Sequence, residues 1–321
     1  MIPVITCFGE ILWDVLPTSK QPGGAPMNVA ADLRNFGLNA QLISRVGSDD
    51  LGKELLAFLA EKQLPLDLVQ VGQSHLTGIA KANLSDTNEV TYKIVQPVAW
   101  DYIFLEPLLL EAVRQSTLFV YGSLAARSPQ TYETLLALLE VAPRKVFDVN
   151  LRAPHYERTT VEALLHQADI AKLNEHELVE LSAWYSDETD LKQGMNQLRE
   201  RYQLETLCVT LGEKGAALLD KNGFTQQGGF SVEVEDTIGS GDAFLAAFLY
   251  KTLQGQRHNI RSNSPVRPVL MLPHNGALHL HSPRKPFSIK SCERKCFNPL
   301  FTESVYLSCE KYPYLASCWL S

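Results

Sequence analysis

At 321 residues, 45% of them hydrophobic, the chain has enough apolar material for one large α/β domain with an appendage. Its formal net charge of −7 argues against a general binder of nucleic acid or of anionic membrane. No run of about 18 apolar residues offers a membrane span, and residues 1–8 carry no basic region ahead of an apolar one, so a soluble cytoplasmic protein is expected.

Short apolar runs alternate with longer amphipathic segments, the pattern of a mostly parallel sheet covered by helices. In chain order, strands are predicted at 4–8, 40–46, 118–121, 145–148, 170–173 and 206–210. Helices are predicted at 28–36, 51–62, 107–115, 131–139, 161–167, 175–181, 191–202 and 243–250. Residues 77–83 and 90–95 break this rhythm: they alternate like two strands around the turn-rich Ser85-Asp86-Thr87-Asn88. A hairpin inserted in an α/β domain predicts an extra small sheet, to which residues 11–15 would add.

The segment Asp236-Thr237-Ile238-Gly239-Ser240-Gly241-Asp242-Ala243-Phe244 sets two glycines and a carboxylate at the mouth of an apolar helix. Backbone N–H groups there can converge on an anion under the helix dipole, with the carboxylate placed to take a proton from an attacking hydroxyl. Read locally, Gly-Asp before a helix is also an ordinary N-cap. Gly23-Gly24-Ala25-Pro26-Met27-Asn28-Val29-Ala30 reads as a loop ending at a helix start. Asp148-Val149-Asn150-Leu151-Arg152 follows a strand, at the end where open parallel sheets place ligands, although turn residues and a surface ion pair would look the same. In Lys172-Leu173-Asn174-Glu175-His176-Glu177, Asn174 and Glu177 form a capping box in their own right. Thr210-Leu211-Gly212-Glu213-Lys214-Gly215-Ala216 could be a plain hairpin turn.

Together these segments resemble the ribokinase-like, or PfkB, carbohydrate kinases, whose Asp-Thr-x-Gly-Ala-Gly-Asp signature is met here with Ser240 in place of the usual Ala. In detail, Phe8-Gly9-Glu10-Ile11-Leu12-Trp13-Asp14, the Gly23–Ala30 stretch and Gln96-Pro97-Val98-Ala99-Trp100-Asp101 are most similar to fructokinases. The resemblance implies a three-layer α/β/α fold with a mostly parallel central sheet, and a small β-sheet lid drawn from about residues 10–16 and 75–105 that is often also a homodimer contact. It implies transfer of phosphate from ATP to a primary hydroxyl of a sugar, fructose first. Asp242 is then the base, and the N–H groups of Gly239, Ser240 and Gly241 stabilise the developing charge. Sugar contacts fall on Asp14, Gly23, Gly24, Asn28, Asp148, Asn150 and Arg152. Nucleotide contacts fall on Lys172, Asn174, Thr210, Gly212, Gly215 and Thr237, with Mg²⁺ governed by Glu177 through water. A monovalent cation stays open. So do a ribose, nucleoside, 2-keto-3-deoxygluconate or sugar-phosphate substrate, and a sugar-binding protein without activity.

The resemblance covers residues 1–256 and then fails. Residues 1–256 hold 20 Lys and Arg against 33 Asp and Glu, whereas 257–321 hold 9 against 3, with four of the six cysteines and seven of the seventeen prolines. Such a proline density leaves little room for the Ala- and Gly-rich helices that the family carries there. The segment 257–321 reads as an out-of-frame translation, testable by reading the coding DNA in the other two frames. Cys292 and Cys296 lack partners at zinc spacing, while Cys7 and Cys208 sit in apolar strands as reduced core thiols.

Overall fold

A computed structural model of the chain describes residues 3–15, 19–84, 90–187, 190–229 and 239–254. The segment 257–321, the turn at 85–88 and Thr237 lie outside the described residues. The chain opens with β1 (Val4–Phe8), β2 (Leu12–Val15), β3 (Lys20–Gly23), α1 (Ala25–Asn35), β4 (Asn39–Gly47) and α2 (Asp50–Glu61). Next come β5 (Val69–Gly72), β6 (Gly78–Leu84), β7 (Val90–Ile94), α3 (Pro107–Arg114), β8 (Leu118–Gly122), α4 (Pro129–Val141) and β9 (Lys145–Asp148). It continues through α5 (Arg158–Gln167), β10 (Ile170–Asn174), α6 (Glu175–Ala183), α7 (Leu191–Tyr202), β11 (Thr206–Thr210), β12 (Ala216–Asp220), β13 (Gly223–Gln227) and α8 (Ser240–Leu253).

The large sheet has the order β13-β12-β11-β10-β9-β8-β1-β4-β5, parallel from β11 to β5 and closed at the other edge by the antiparallel β12–β13 hairpin. Central strands of such a sheet are covered on both faces and so read as unbroken apolar runs; all five residues of β8 are buried. Side chains alternate between two apolar layers. Ile5, Cys7, Leu42 and Val120 meet α1, α2 and α8 on one face, while Phe8, Ile43, Phe119 and Phe147 meet α3 to α7 on the other. This is the three-layer arrangement expected. A separate sheet, β3-β2-β6-β7, forms the expected lid element, with β2 parallel to β6 and antiparallel to β3.

Several boundaries differ from the sequence reading for identifiable reasons. Helix α1 begins at Ala25 rather than 28 because Pro26 falls in the first turn, where a missing N–H costs nothing. Pro129 starts α4 early in the same way. Strand β3 went unread because Lys-Gln-Pro-Gly has no β-branched or aromatic residue; its proline is tolerated on a sheet edge. Strand β5 is too short for a period to show; Thr210–Ala216 is the hairpin turn that the sequence allowed, joining β11 to the antiparallel β12, which β13 continues.

Candidate active site

The chain runs from β1 outward through β4 to β5, then returns to build β8, β9, β10 and β11 on the other side of β1. Strands β1 and β8 therefore flank the switch point of the sheet, where their carboxyl ends leave a crevice. Residues following β1, β9 and β10 rim that crevice, and two helix N-termini come to the same place.

Those helices are α1 and α8, which pack side by side and parallel. Near their N-termini Asn28 Nδ2 donates to Asp242 Oδ2 at 2.8 Å, and near their C-termini Phe36 stacks on Tyr250 with ring centroids 5.2 Å apart. Parallel packing brings the positive ends of two helix dipoles together. Gly239 is the N-cap of α8, left-handed at φ 77°, and α8 has no side-chain cap, so the amides of Ser240 and Gly241 stay available to an anion while that of Asp242 donates to the Gly239 carbonyl. Asp242 is thus not the N-cap: it stands inside the first turn, and its side chain turns to Asn28. At 9% exposure, burial pushes its carboxyl up from 3.8 to about 7, with Asp148 adding to the rise and Lys172, Asn28 and Arg152 opposing it.

Lys172, on β10, points under this helix end. Its Nζ donates to both oxygens of Asp148, at 3.0 and 3.3 Å, and lies 3.0 Å from where a Cβ on Gly241 would stand. Burial works against its charge, yet Asp148, Asp242 and Glu177 outweigh that and hold the ammonium above its usual range. Glu177 closes the capping box with Asn174: Oε2 accepts from the Asn174 N–H at 2.8 Å, and Asn174 Oδ1 accepts from the Glu177 N–H at 2.9 Å. Its Oε1 accepts from the Leu151 N–H at 2.8 Å, which anchors the Asp148–Arg152 segment. Asn150 sits in that segment at φ 40°, and Arg152 is exposed while acting on the charge of Glu10, Asp14 and Asp242.

On the opposite wall, Asp14 belongs to β2 and so to the lid sheet. A Cβ on Gly23 would stand 2.1 Å from Asp14 Oδ2; the hydrogen at position 23 is what leaves room for the carboxyl. Burial raises the Asp14 carboxyl from 3.8 to about 6 against the pull of Arg152. Gly24, at φ 115°, is the N-cap of α1 and adjoins the carbonyl of Glu10. Farther out, the Thr210–Ala216 segment is the turn between β11 and β12, with Gly212 at φ 58° facing open space and Gly215 at φ 92° packed against Gln227. Thr210 Oγ1 donates to the Leu173 carbonyl at 3.3 Å, tying this turn to β10.

Glu10 and two contacts at the roots of the lid carry no motif of their own in the sequence. At the outgoing root, Asp49 accepts from both the backbone N–H and the hydroxyl of Thr77, at 2.8 and 2.6 Å. At the returning root, Arg127 makes a two-pronged, buried pair with Asp101 at 2.7 and 2.8 Å, donates to the Val95 carbonyl and stacks over Trp100. Partners so distant in the chain leave no local signal; these contacts arise from the tertiary fold.

A sheet with its switch point between β1 and β8, a helix end without a side-chain cap and a buried carboxyl beside it are the features of an α/β protein that binds an anion. The pattern of the pfkB family carbohydrate kinases matches residues 6–259, and the chain belongs to that family. It is 30% identical over 255 residues to a fructokinase of Salmonella typhimurium, covering 75% of this chain and 82% of the relative. Among solved structures, it superposes with TM-score 0.67 and 26% identity on a Vibrio cholerae O395 fructokinase bound to fructose, ADP and calcium, covering 78% of this chain and 84% of the other. It superposes equally, at 0.67 and 25%, on an aminoimidazole riboside kinase from Salmonella enterica complexed with its riboside and an ATP analogue, covering 78% and 85%. The family likeness stops at residue 259, close to the change of composition after residue 256. Among the described residues, no helix is long and apolar enough to cross a membrane.

Proposed function

We propose that residues 1–256 carry out ATP-dependent phosphorylation of a sugar at its primary hydroxyl, with fructose as the substrate. The observation that carries this reading is the placement of Asp242: a buried carboxyl, raised to about 7, in the uncapped first turn of α8 and held by Asn28. A base whose proton affinity lies near neutrality is suited to accept a hydroxyl proton as that oxygen attacks the γ-phosphate in line. The amides of Gly239, Ser240 and Gly241 stabilise charge on the transferring group, and Lys172 neutralises the carboxylates behind them.

The sugar is held by Asp14, Gly23, Gly24, Asn28, Asp148, Asn150 and Arg152. Asp14 enters from the lid and Asn28 from α1, so lid closure brings the two walls onto the hydroxyls and excludes water. The nucleotide lies along Asn174, Thr210, Gly212 and Gly215, with Lys172 toward its phosphates; the family motif adds Thr237 to the nucleotide contacts. Both Glu177 oxygens already accept backbone amides, which fits a Mg²⁺ reached through water rather than bound directly. Bound there, Mg²⁺ supplies neutralisation of phosphate charge. A homodimer through the lid sheet belongs to the same reading.

The likeness to an aminoimidazole riboside kinase is as close as that to a solved fructokinase, so a nucleoside-type substrate is the second reading. ADP release by the purified full chain decides, measured with fructose, ribose, 2-keto-3-deoxygluconate, a nucleoside and fructose 6-phosphate in turn. Fructose giving the highest kcat/KM supports the assignment. A higher value with the nucleoside replaces it, and no sugar-dependent release above background overturns the kinase reading for this chain.

A further inference from the structure

Glu10 lies between β1 and β2 at 3% exposure, and the transfer described above leaves it without a task. Its contacts lead to the first turn of α1. Oε1 accepts from the Ala25 backbone N–H at 3.2 Å, and the Glu10 carbonyl oxygen comes within 2.4 Å of where a Cβ on Gly24 would sit. Helix α1 has no side-chain cap and no acidic residue in its first turn. Glu10 therefore supplies from outside the helix the acceptor that α1 lacks. One turn further, the Asn28 N–H donates to the Gly24 carbonyl at 2.9 Å while the Asn28 side chain holds Asp242.

The second oxygen, Oε2, is buried with no hydrogen-bond partner among the described residues. An unpaired buried carboxylate oxygen is costly, and a neutral carboxyl avoids most of that cost. The charged groups acting on Glu10 are Asp242 on α8 and Arg152 after β9; Asp242 in turn faces Asp148 on β9, Lys172 on β10 and Arg152.

We propose that Glu10 is a positioning residue for phosphoryl transfer: it caps α1 from outside so that Asn28 meets Asp242, and as a neutral carboxyl it keeps a second negative charge away from the base. This rests on reading Asp242 as the base. Burial raises the Glu10 carboxyl to about 7, its own amide and that of Ala25 oppose, and Asp242 adds to the rise, so an ionised Asp242 favours the neutral form of Glu10.

Two substitutions in the full chain separate the parts of this role. Glu10→Gln keeps an acceptor for the Ala25 N–H and stays neutral as the wild-type carboxyl does, so kcat stays within a few-fold of wild type and the acid limb of kcat/KM stays in place. Glu10→Ala removes the cap, and kcat/KM for the sugar falls roughly ten-fold. Because that loss could be structural, the Asp242 carboxyl is also titrated by carbon-13 NMR in wild type and Glu10→Gln. The same midpoint in both proteins, with the loss confined to Glu10→Ala, supports the proposal. A lower midpoint in Glu10→Gln, which would show a charged Glu10 in the wild type, or a Glu10→Gln enzyme as impaired as Glu10→Ala, overturns it. The titration reads the Glu10–Asp242 coupling without turnover, so a wild type lacking sugar-dependent ADP release sinks the base assignment and leaves the coupling to be judged on the midpoint alone.

Discussion

Asn28 donates to Asp242 across 214 residues of chain, joining the first turns of two parallel helices by a 2.8 Å hydrogen bond. The bond favours the charged carboxylate and opposes the burial that raises it. It also fixes the rotamer of the carboxyl proposed as the base. Asn28→Ala removes both effects, so kcat falls by about ten- to a hundred-fold, in the range of a lost charge-assisted bond. Asn28→Asp places a second carboxylate against the first and moves the acid limb of kcat/KM upward. A pH–rate profile that is the same in all three proteins would show the bond to be incidental.

With Asp242 as the proposed base, activity should depend on pH through its ionised form, the carboxyl being raised to about 7. Turnover per free enzyme, kcat/KM, therefore drops as pH falls through that value. Asp242→Asn removes the proton acceptor while keeping volume, and kcat falls about 10²- to 10⁴-fold with the sugar KM changed little. Steady-state ADP release between pH 5.5 and 9, a range of roughly two units about the expected midpoint, tests this. Near-wild-type turnover in the variant would sink the base assignment.

Stability runs the other way. Asp242 and Glu10 rise from 3.8 and 4.5 to about 7, and Asp14 from 3.8 to about 6, so the folded chain binds more protons than the unfolded one between those values. Stabilisation from these groups is complete below their ordinary values and is lost as pH rises through the folded ones. The lowered carboxylates Asp49 and Glu162 act only beneath their ordinary range, outside this window. Ligand-free thermal unfolding should give a Tm that declines from pH 5 to pH 8, and Asp242→Asn should be more stable than wild type at pH 8 but not at pH 5. Equal differences at both pH values would contradict the raised carboxyl.

Gly23 faces Asp14 so closely that a Cβ would stand 2.1 Å from Oδ2, and the two strands are bonded in fixed register with Leu12 opposite Gly23. In Gly23→Ala the carboxyl has to leave its position. The sugar KM should rise about ten-fold or more, as expected for one displaced hydroxyl contact, with the ATP KM unaffected. A rise confined to ATP would remove Asp14 from the sugar wall.

Much of the frame was readable because parallel strands buried on both faces are plain apolar runs; Val4–Phe8, Lys145–Asp148 and Thr206–Thr210 fall as expected. Helix α7 spans the predicted 191–202, with Asp190 as its N-cap accepting from the Gln193 N–H. What escaped was tertiary. Asn28 and Asp242 could each be marked from their motifs, but their bond depends on α1 and α8 packing parallel. Glu10 sits in an apolar stretch with no periodic signal, and its function as a cap for α1 exists only once the chain has folded back on Ala25. The carboxylates around Lys172 come from β9, α6 and α8, brought together by sheet order.

That cluster yields the sharpest test of what Lys172 does. Its side chain is 6% exposed, it is bonded to Asp148, and Asp242 and Glu177 also act on its charge. Lys172→Met keeps length and removes the charge, leaving Asp148 and Asp242 as buried carboxylates without their counter-ion. Breaking a buried pair in this way costs about 3–5 kcal/mol. Because protonation relieves the exposed repulsion, the loss should be larger at pH 8 than at pH 5, and the acid limb of kcat/KM should move up. A lysine serving only the nucleotide would behave otherwise: the ATP KM alone would rise, with Tm and the pH profile of kcat unchanged. Thermal unfolding of Lys172→Met at the two pH values, beside its KM for ATP, separates an ammonium that holds the carboxylates of the site together from one that only receives phosphate.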